Sequence, residues 1–172
     1  PNVLTGQLSG AIVHLPVAEP ELVGTGADPM LVMHYEAAGD WAKALESATR
    51  AGADAEKHGA VEDALHAYRV AVAAARRIRP AAVQLPELWE SLAGVSVATG
   101  RTSEGLIAYE SARKLTKEPV ARARIDLGRA YALNVLGRPD EAAGTLRSAR
   151  RAAIAAGESG RGMLAAIAVT DA

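Results

Sequence analysis

The chain has no cysteine and no phenylalanine, and only 3% of its 172 residues are aromatic. Without cysteine it can form neither a disulfide nor a thiolate metal site, and this composition fits a reducing compartment. Because large side chains are scarce, the 49% hydrophobic content rests mainly on alanine, which favours closely packed helices. These shortages predict an all-α protein.

An excess of charge of one sign is also lacking, since 19 basic residues stand against 20 acidic ones and the formal net charge is −1. This balance disfavours a phosphate backbone as partner, so we expect no direct contact with nucleic acid. The basic runs Arg76–Arg79 and Arg147–Arg151 fall late in predicted helices, where cations complement the helix dipole. Nucleic acid or an acidic partner for these runs is the alternative interpretation.

Long hydrophobic runs and a signal peptide are missing as well. No apolar stretch reaches the length that spans a bilayer, and the first residues do not combine a charged start with an apolar core. We therefore expect a cytoplasmic protein that makes no membrane contact.

What the chain does contain is a pattern that occurs four times: a glycine, a small residue five positions later and an alanine twelve positions later. The copies begin at Gly39, Gly59, Gly100 and Gly137. The first three copies have a leucine at the sixth position, and the ninth position carries Ala48, Tyr68, Tyr109 or Leu146. Offsets of five, six, nine and twelve lie on one face of an α-helix, so each copy predicts a tight turn followed by an amphipathic helix. The repetition predicts a helical solenoid.

Glycine and proline positions divide the chain into predicted segments. Residues 1–27 show little periodicity and are interpreted as an irregular lead-in. A first group of repeat-like helices is predicted over 28–78, a proline-bounded linker over 79–86, and a second group of hairpins over 87–157. Residues 158–172 are predicted to form a linker and a truncated terminal helix.

Seven to eight helices are predicted in all, and they span about 28–38, 41–57, 60–78, 86–99, 102–116, 119–136 and 139–157, with a last helix from about 162. The turn glycines Gly39 and Gly59 are only 20 residues apart, which leaves room for a single helix. The helix over 41–57 is therefore predicted to belong to two hairpins at once.

The repeated unit resembles the tetratricopeptide repeat (TPR). Agreement is best in the third copy, through Trp89, Leu92, Gly100, Tyr109 and Ala112. The resemblance covers residues 28–157 and implies a right-handed α-solenoid of antiparallel helix hairpins, in which large side chains fill the space between helices that approach closely at small residues. The turn spacings of 20, 41 and 37 residues depart from a regular 34-residue array.

Three segments carry a more specific resemblance. His-Tyr-Glu-Ala-Ala-Gly-Asp-Trp at 34–41, Leu-Trp-Glu at 88–90 and Glu-Pro-Val-Ala-Arg-Ala-Arg at 118–124 are similar to the carboxy-terminal TPR parts of large bacterial regulators. Those regulators are multidomain ATPases, often fused to a class III adenylate/guanylate cyclase domain or to a DNA-binding domain. The resemblance implies that this chain is a regulatory part of such a protein.

No constellation predicts catalysis, a metal or a cofactor. His58, Glu62 and His66 are spaced four residues apart, but Gly59 interrupts the helix and the imidazoles would lie about 12 Å apart by helix rise. The run Gly157–Gly162 lacks the Gly-Lys-Ser/Thr ending of a phosphate loop and follows a helix instead of a strand. We therefore expect a segment that is not an enzyme.

The candidate site is a groove. In the TPR fold the first helix of each hairpin lines a concave face, and counting back from the turn glycines assigns residues to it. The predicted partner-binding groove is formed by Met33, Glu36, Glu87, Glu90, Val97, Arg122 and Arg129. Plain solvation is the alternative explanation for these positions. Trp41 and Trp89 are interpreted as core fillers in preference to partner anchors.

The function that these observations predict is a protein-protein interaction or regulatory sensing module of a larger cytoplasmic signalling protein. Its partner would be a protein, a peptide or a neighbouring domain of the same chain. The chain begins at Pro1 and ends in an apolar stretch, so we expect it to be part of a longer protein. Two alternatives stay open: an effector-binding segment of a multidomain transcriptional regulator, and a self-associating scaffold that forms a homo-oligomer.

Overall fold

The computed structural model describes residues 35, 37–78 and 85–170. From Trp41 onward the described residues form seven α-helices and one 3-10 turn, and the described residues contain no strand, which confirms the all-α prediction. The helices are α1 (Trp41–Lys57), α2 (Val61–Arg77), α3 (Leu85–Ala98), α4 (Thr102–Leu115), α5 (Pro119–Val135), α6 (Pro139–Ala155) and α7 (Arg161–Thr170), with the 3-10 turn at Gly157–Gly160. None of these helices combines the length and the apolar character needed to cross a bilayer.

The helix bounds agree with the predicted ones to within two residues at each end. Leu85 and Pro86, predicted as the end of the linker, lie instead in the first turn of α3, where proline needs no hydrogen-bond donor. Of the helix predicted over 28–38, only Tyr35, Ala37 and Ala38 are described, and they are helical. The predicted lead-in 1–27 and the rest of the predicted linker lie outside the described residues.

The four turn glycines have the same backbone geometry, with φ between 70° and 78°. Side chains other than glycine are strained in this left-handed region, which explains why each copy of the repeat begins with glycine. At the third turn the Arg101 N–H donates to the Ser96 carbonyl at 2.8 Å, and the Gly100 N–H donates to the Val97 carbonyl at 3.0 Å. These two bonds close the end of α3 and return the chain antiparallel to it.

Helices α1 and α2, α3 and α4, and α5 and α6 form three hairpins that pack closely within each pair. The hairpins join to one another through contacts of α2 with α3 and of α4 with α5, and α7 packs against α6. The result is an all-α helical-repeat solenoid. Helix α1 was predicted to belong to two hairpins, and the structure shows the one that it forms with α2. The other predicted hairpin pairs it with the helix over 28–38, most of which lies outside the described residues.

The small residues of the repeat lie where the helices approach most closely. The fifth and twelfth positions are fully buried in the second, third and fourth copies, at Ala64, Ala71, Gly105, Ala112, Ala142 and Ala149. In the second and third copies the ninth position carries a larger filler: the ring of Tyr68 lies against Gly52, and the ring of Tyr109 lies against Gly128. Each tyrosine thus occupies space that an alanine in place of the facing glycine would restrict.

Candidate partner-binding surface

The first helices of the second and third hairpins are joined by a charged contact. Arg124 of α5 donates two hydrogen bonds to the carboxylate of Glu90 of α3, of which the Nη2–Oε2 bond measures 2.8 Å. This contact raises the pKa of Arg124 above its ordinary value, opposed by burial and helped by the nearby charges of Glu87 and Glu118. Glu87 is exposed, and no described residue forms an ion pair with it. The predicted groove residues Glu87 and Glu90 therefore share one surface with Arg124.

An exposed stripe continues from Arg124 along α5. Arg124, Tyr131 and Val135 are spaced by seven and four residues, which places them on one side of the helix. Tyr131 is 58% exposed and Val135 is 54% exposed, although both are large and apolar or aromatic. We call Arg124, Tyr131 and Val135 the α5 strip.

Arg122 and Arg129, predicted to belong to the groove, do not approach Glu87 and Glu90. At 3.6 residues per turn, both lie about 150° around α5 from Arg124. Arg129 donates to Asp126 at 3.2 Å and lies 3.7 Å from Glu110 of α4. The structure thus divides the predicted set between two sides of α5.

Val97 faces the interior of its own hairpin. A Cβ atom on Gly105 of α4 would lie 2.7 Å from its Cγ2 atom, and Val97 packs against the core that α4 to α7 share. Met33 and Glu36 lie outside the described residues. That Met33 and Glu36 share a partner-binding surface with Glu87 and Glu90 stays a prediction.

A polar cluster that we did not predict lies on the other side of α5. Asp126 is 1% exposed. It accepts hydrogen bonds from Nε of Arg113 on α4 at 2.6 Å and from the hydroxyl of Ser148 on α6 at 2.8 Å. With Arg129 as a third donor, the carboxylate is fully paired, and the cluster ties α4, α5 and α6 together.

The described residues contain no group of three histidine, aspartate or glutamate side chains that could hold a metal ion. His58 follows the last residue of α1, and its Nδ1 atom lies 2.7 Å from the Asp54 carbonyl oxygen. Glu62 instead accepts a hydrogen bond from Arg101 at 2.9 Å. The predicted interruption at Gly59 is present, because this residue has φ of 71° and separates α1 from α2.

The two basic runs differ in position. Arg76 and Arg77 lie in the last turn of α2, as predicted, and the Arg77 guanidinium lies 4.9 Å from the centroid of the Trp41 ring. By contrast, the last turn of α6 contains no basic residue, so the run that ends at Arg151 precedes it. The helix-dipole explanation is therefore wrong for that run, because the dipole acts within the last turn.

Trp89 packs against the core, in agreement with its interpretation as a filler.

The comparisons with known proteins concern the fold. No protein-family model matches the chain, and no curated protein matches it. Among solved structures, it is similar to the crystal structure of BtubC (BKLC) from P. vanneervenii, with 21% identity and a TM-score of 0.54. The likeness is one of fold alone. The match covers 72% of this chain but 53% of that chain, so it spans about half of that protein's length.

Proposed function

We propose that this chain is a TPR-like protein-protein interaction or regulatory sensing module of a larger cytoplasmic signalling protein. The surface that captures the partner is the α5 strip together with Glu87. The observation that carries the proposal is the exposure of Tyr131 and Val135 on a first helix, in line with an arginine. Exposed aromatic and arginine side chains are the types enriched at protein interfaces.

The charges of this surface indicate what kind of segment it would accept. Arg124 is neutralised by Glu90, whereas Glu87 is exposed and carries a charge that no ion pair among the described residues balances. Arg124 and Tyr131 are seven residues apart, about 10 Å along the helix axis. A partner helix or extended segment would complement this surface if it carried a lysine or arginine that pairs with Glu87 and an apolar side chain that packs on Tyr131.

Site-specific photo-crosslinking tests the proposal. The full gene product, expressed in its own cell, would carry benzoylphenylalanine in place of Tyr131, a change from one exposed aromatic residue to another. The matched control places the same group at Ile107, which is 63% exposed but lies on α4, the second helix of its hairpin. We expect a discrete cross-link to another protein, or to a second domain of the same chain, from position 131 and not from position 107.

Equal products from both positions, or none from position 131, would contradict the proposal. Cross-links between two copies of the chain would favour the self-associating scaffold instead. Mass spectrometry of the cross-linked peptides distinguishes these results, because it identifies both joined segments.

A further inference from the structure

A cavity of about 280 Å³ opens between α4, α5 and α6. It lies on the side of α5 opposite the α5 strip, since Arg122 lines it. Four cations from three helices and a connecting loop surround it, Arg113, Lys117, Arg122 and Arg151, and the lining contains a single carboxylate, that of Asp126.

Of these four cations, only Arg113 is neutralised by the lining itself, through Asp126. Asp126 is already paired with Arg113, Arg129 and Ser148. Within the part of the chain that the structure describes, Lys117 and Arg122 have no ion pair. Arg151 has no ion pair there either. It precedes the last turn of α6, so its charge is not stabilised by the helix dipole.

The N-terminus of α5 does not supply the site, although Pro119 belongs to the lining. The carboxylate of Glu118 accepts the N–H groups of Val120 and Ala121, at 2.8 and 2.5 Å. These bonds lower the pKa of Glu118, which keeps this cap ionised. An anion in the cavity would therefore be held by side chains.

We propose that this cavity binds a small ligand with closely spaced anionic groups, either phosphates or carboxylates. Guanidinium groups bind both through paired hydrogen bonds, and the Asp126 contact holds Arg113 in place for this role. The volume lies just below the range of about 300 to 1,000 Å³ for small-molecule sites, which suits a compact metabolite. The site is separate from the surface of the proposed function, and its occupancy would make the chain a sensor of such a ligand.

Calorimetric titration of the 172-residue chain tests the assignment with pyrophosphate and with citrate, each against sodium chloride at the same ionic strength. The test variant Arg122→Gln with Arg151→Gln removes two cations of the cavity. The control variant Lys114→Gln with Arg147→Gln removes the same charge from exposed positions outside the lining.

We expect saturable binding of pyrophosphate or citrate to the unmodified chain, weakened on the order of tenfold or more in the test variant and unchanged within about twofold in the control. Preference for pyrophosphate assigns phosphate groups to the ligand, and preference for citrate assigns carboxylates. Absence of binding by both anions, or equal loss in both variants, would overturn the proposal. If the double variant loses helix content by circular dichroism, Lys117→Gln alone provides the same comparison.

Discussion

At the level of individual side chains, glycine and tyrosine determine how closely neighbouring helices approach. Gly105 occupies the position where the second and fourth copies of the repeat have alanine. A Cβ atom there would lie 2.9 Å from the Ala93 carbonyl oxygen and closer still to Val97. Helices α3 and α4 can approach as they do because this side chain is absent.

Replacement of Gly105 by alanine is expected to destabilise the fold by about 1 to 3 kcal/mol, because backbone atoms of α3 must move to make room. Gly94→Ala is the matched control, since it lies inside α3 of the same hairpin and its Cβ atom would meet only the Tyr109 hydroxyl at 3.8 Å. There the gain in helix propensity is expected to stabilise by about 0.5 to 1 kcal/mol. Urea denaturation measures both; equal effects of the two changes would contradict the account of Gly105.

Tyr68 provides a prediction that depends on pH. Its side chain is buried, and its hydroxyl donates to Glu56 across the first hairpin. Burial, this bond and the Glu56 charge raise its pKa from 10.0 to about 12. Because the pKa is higher in the folded state, the stabilisation is complete below pH 10 and is lost as the pH rises through about 12.

We expect the tyrosinate absorbance of the folded chain to include one component that titrates near pH 12, absent from Tyr68→Phe. Circular dichroism at each pH confirms that the chain is still folded. An unchanged titration curve in Tyr68→Phe would contradict the raised pKa of Tyr68.

Ion pairs between an arginine and a carboxylate join neighbouring helices in two environments, one exposed and one buried. Arg69 of α2 and Glu104 of α4 form a bidentate pair that is more than two-fifths exposed on both sides. Asp126, in contrast, is buried with Arg113 and Ser148 around it. The exposed pair competes with water, while the buried carboxylate holds three helices in one arrangement.

Asp126→Ala is expected to cost about 3 kcal/mol of unfolding free energy, because it removes the buried carboxylate that Arg113 and Arg129 contact, and only Arg129 keeps a second carboxylate nearby, that of Glu110. Glu104→Ala, the matched control on the exposed pair, is expected to cost no more than about 1 kcal/mol. Chemical denaturation at pH 7 compares them. Similar losses would show that burial of the Asp126 cluster does not matter.

The helices could be predicted from the sequence because their signals are local. Each turn glycine adopts the same left-handed φ, so its position defines the end of one helix and the start of the next. The entry to α3 was predicted one residue late, since proline is as compatible with a first helical turn as with a linker.

The site was harder to predict, because its residues depend on the rotation of each helix against its neighbours. Glu90 was predicted as a groove residue together with Arg122 and Arg129, but the α5 arginine that contacts it is Arg124. A shift of two residues turns a side chain to the other side of the helix. Asp126 did leave a signal. It interrupts the buried stripe that contains Ala123, Ala130 and Leu133, where a carboxylate needs partners.

The molecule as a whole has two sides that differ in chemistry. The α5 strip and Glu87 form an exposed surface on the first helices, whereas the cavity with Arg122 and Arg151 lies on the opposite side of α5. In a solenoid each hairpin contacts only its neighbours, so both surfaces extend across hairpins that support one another. A partner on one side and a small anion on the other would therefore act on the same stack of helices.

The most direct test of the proposed interaction surface is the affinity of the partner that is cross-linked from position 131. Tyr131→Ala is expected to weaken its binding on the order of tenfold or more, as truncation of an interface anchor does. Glu87→Lys should weaken it as well while leaving the Glu90–Arg124 contact in place. Ile107→Ala, equally exposed on α4, should change it by less than about twofold. Unchanged affinity in Tyr131→Ala and Glu87→Lys would contradict the account.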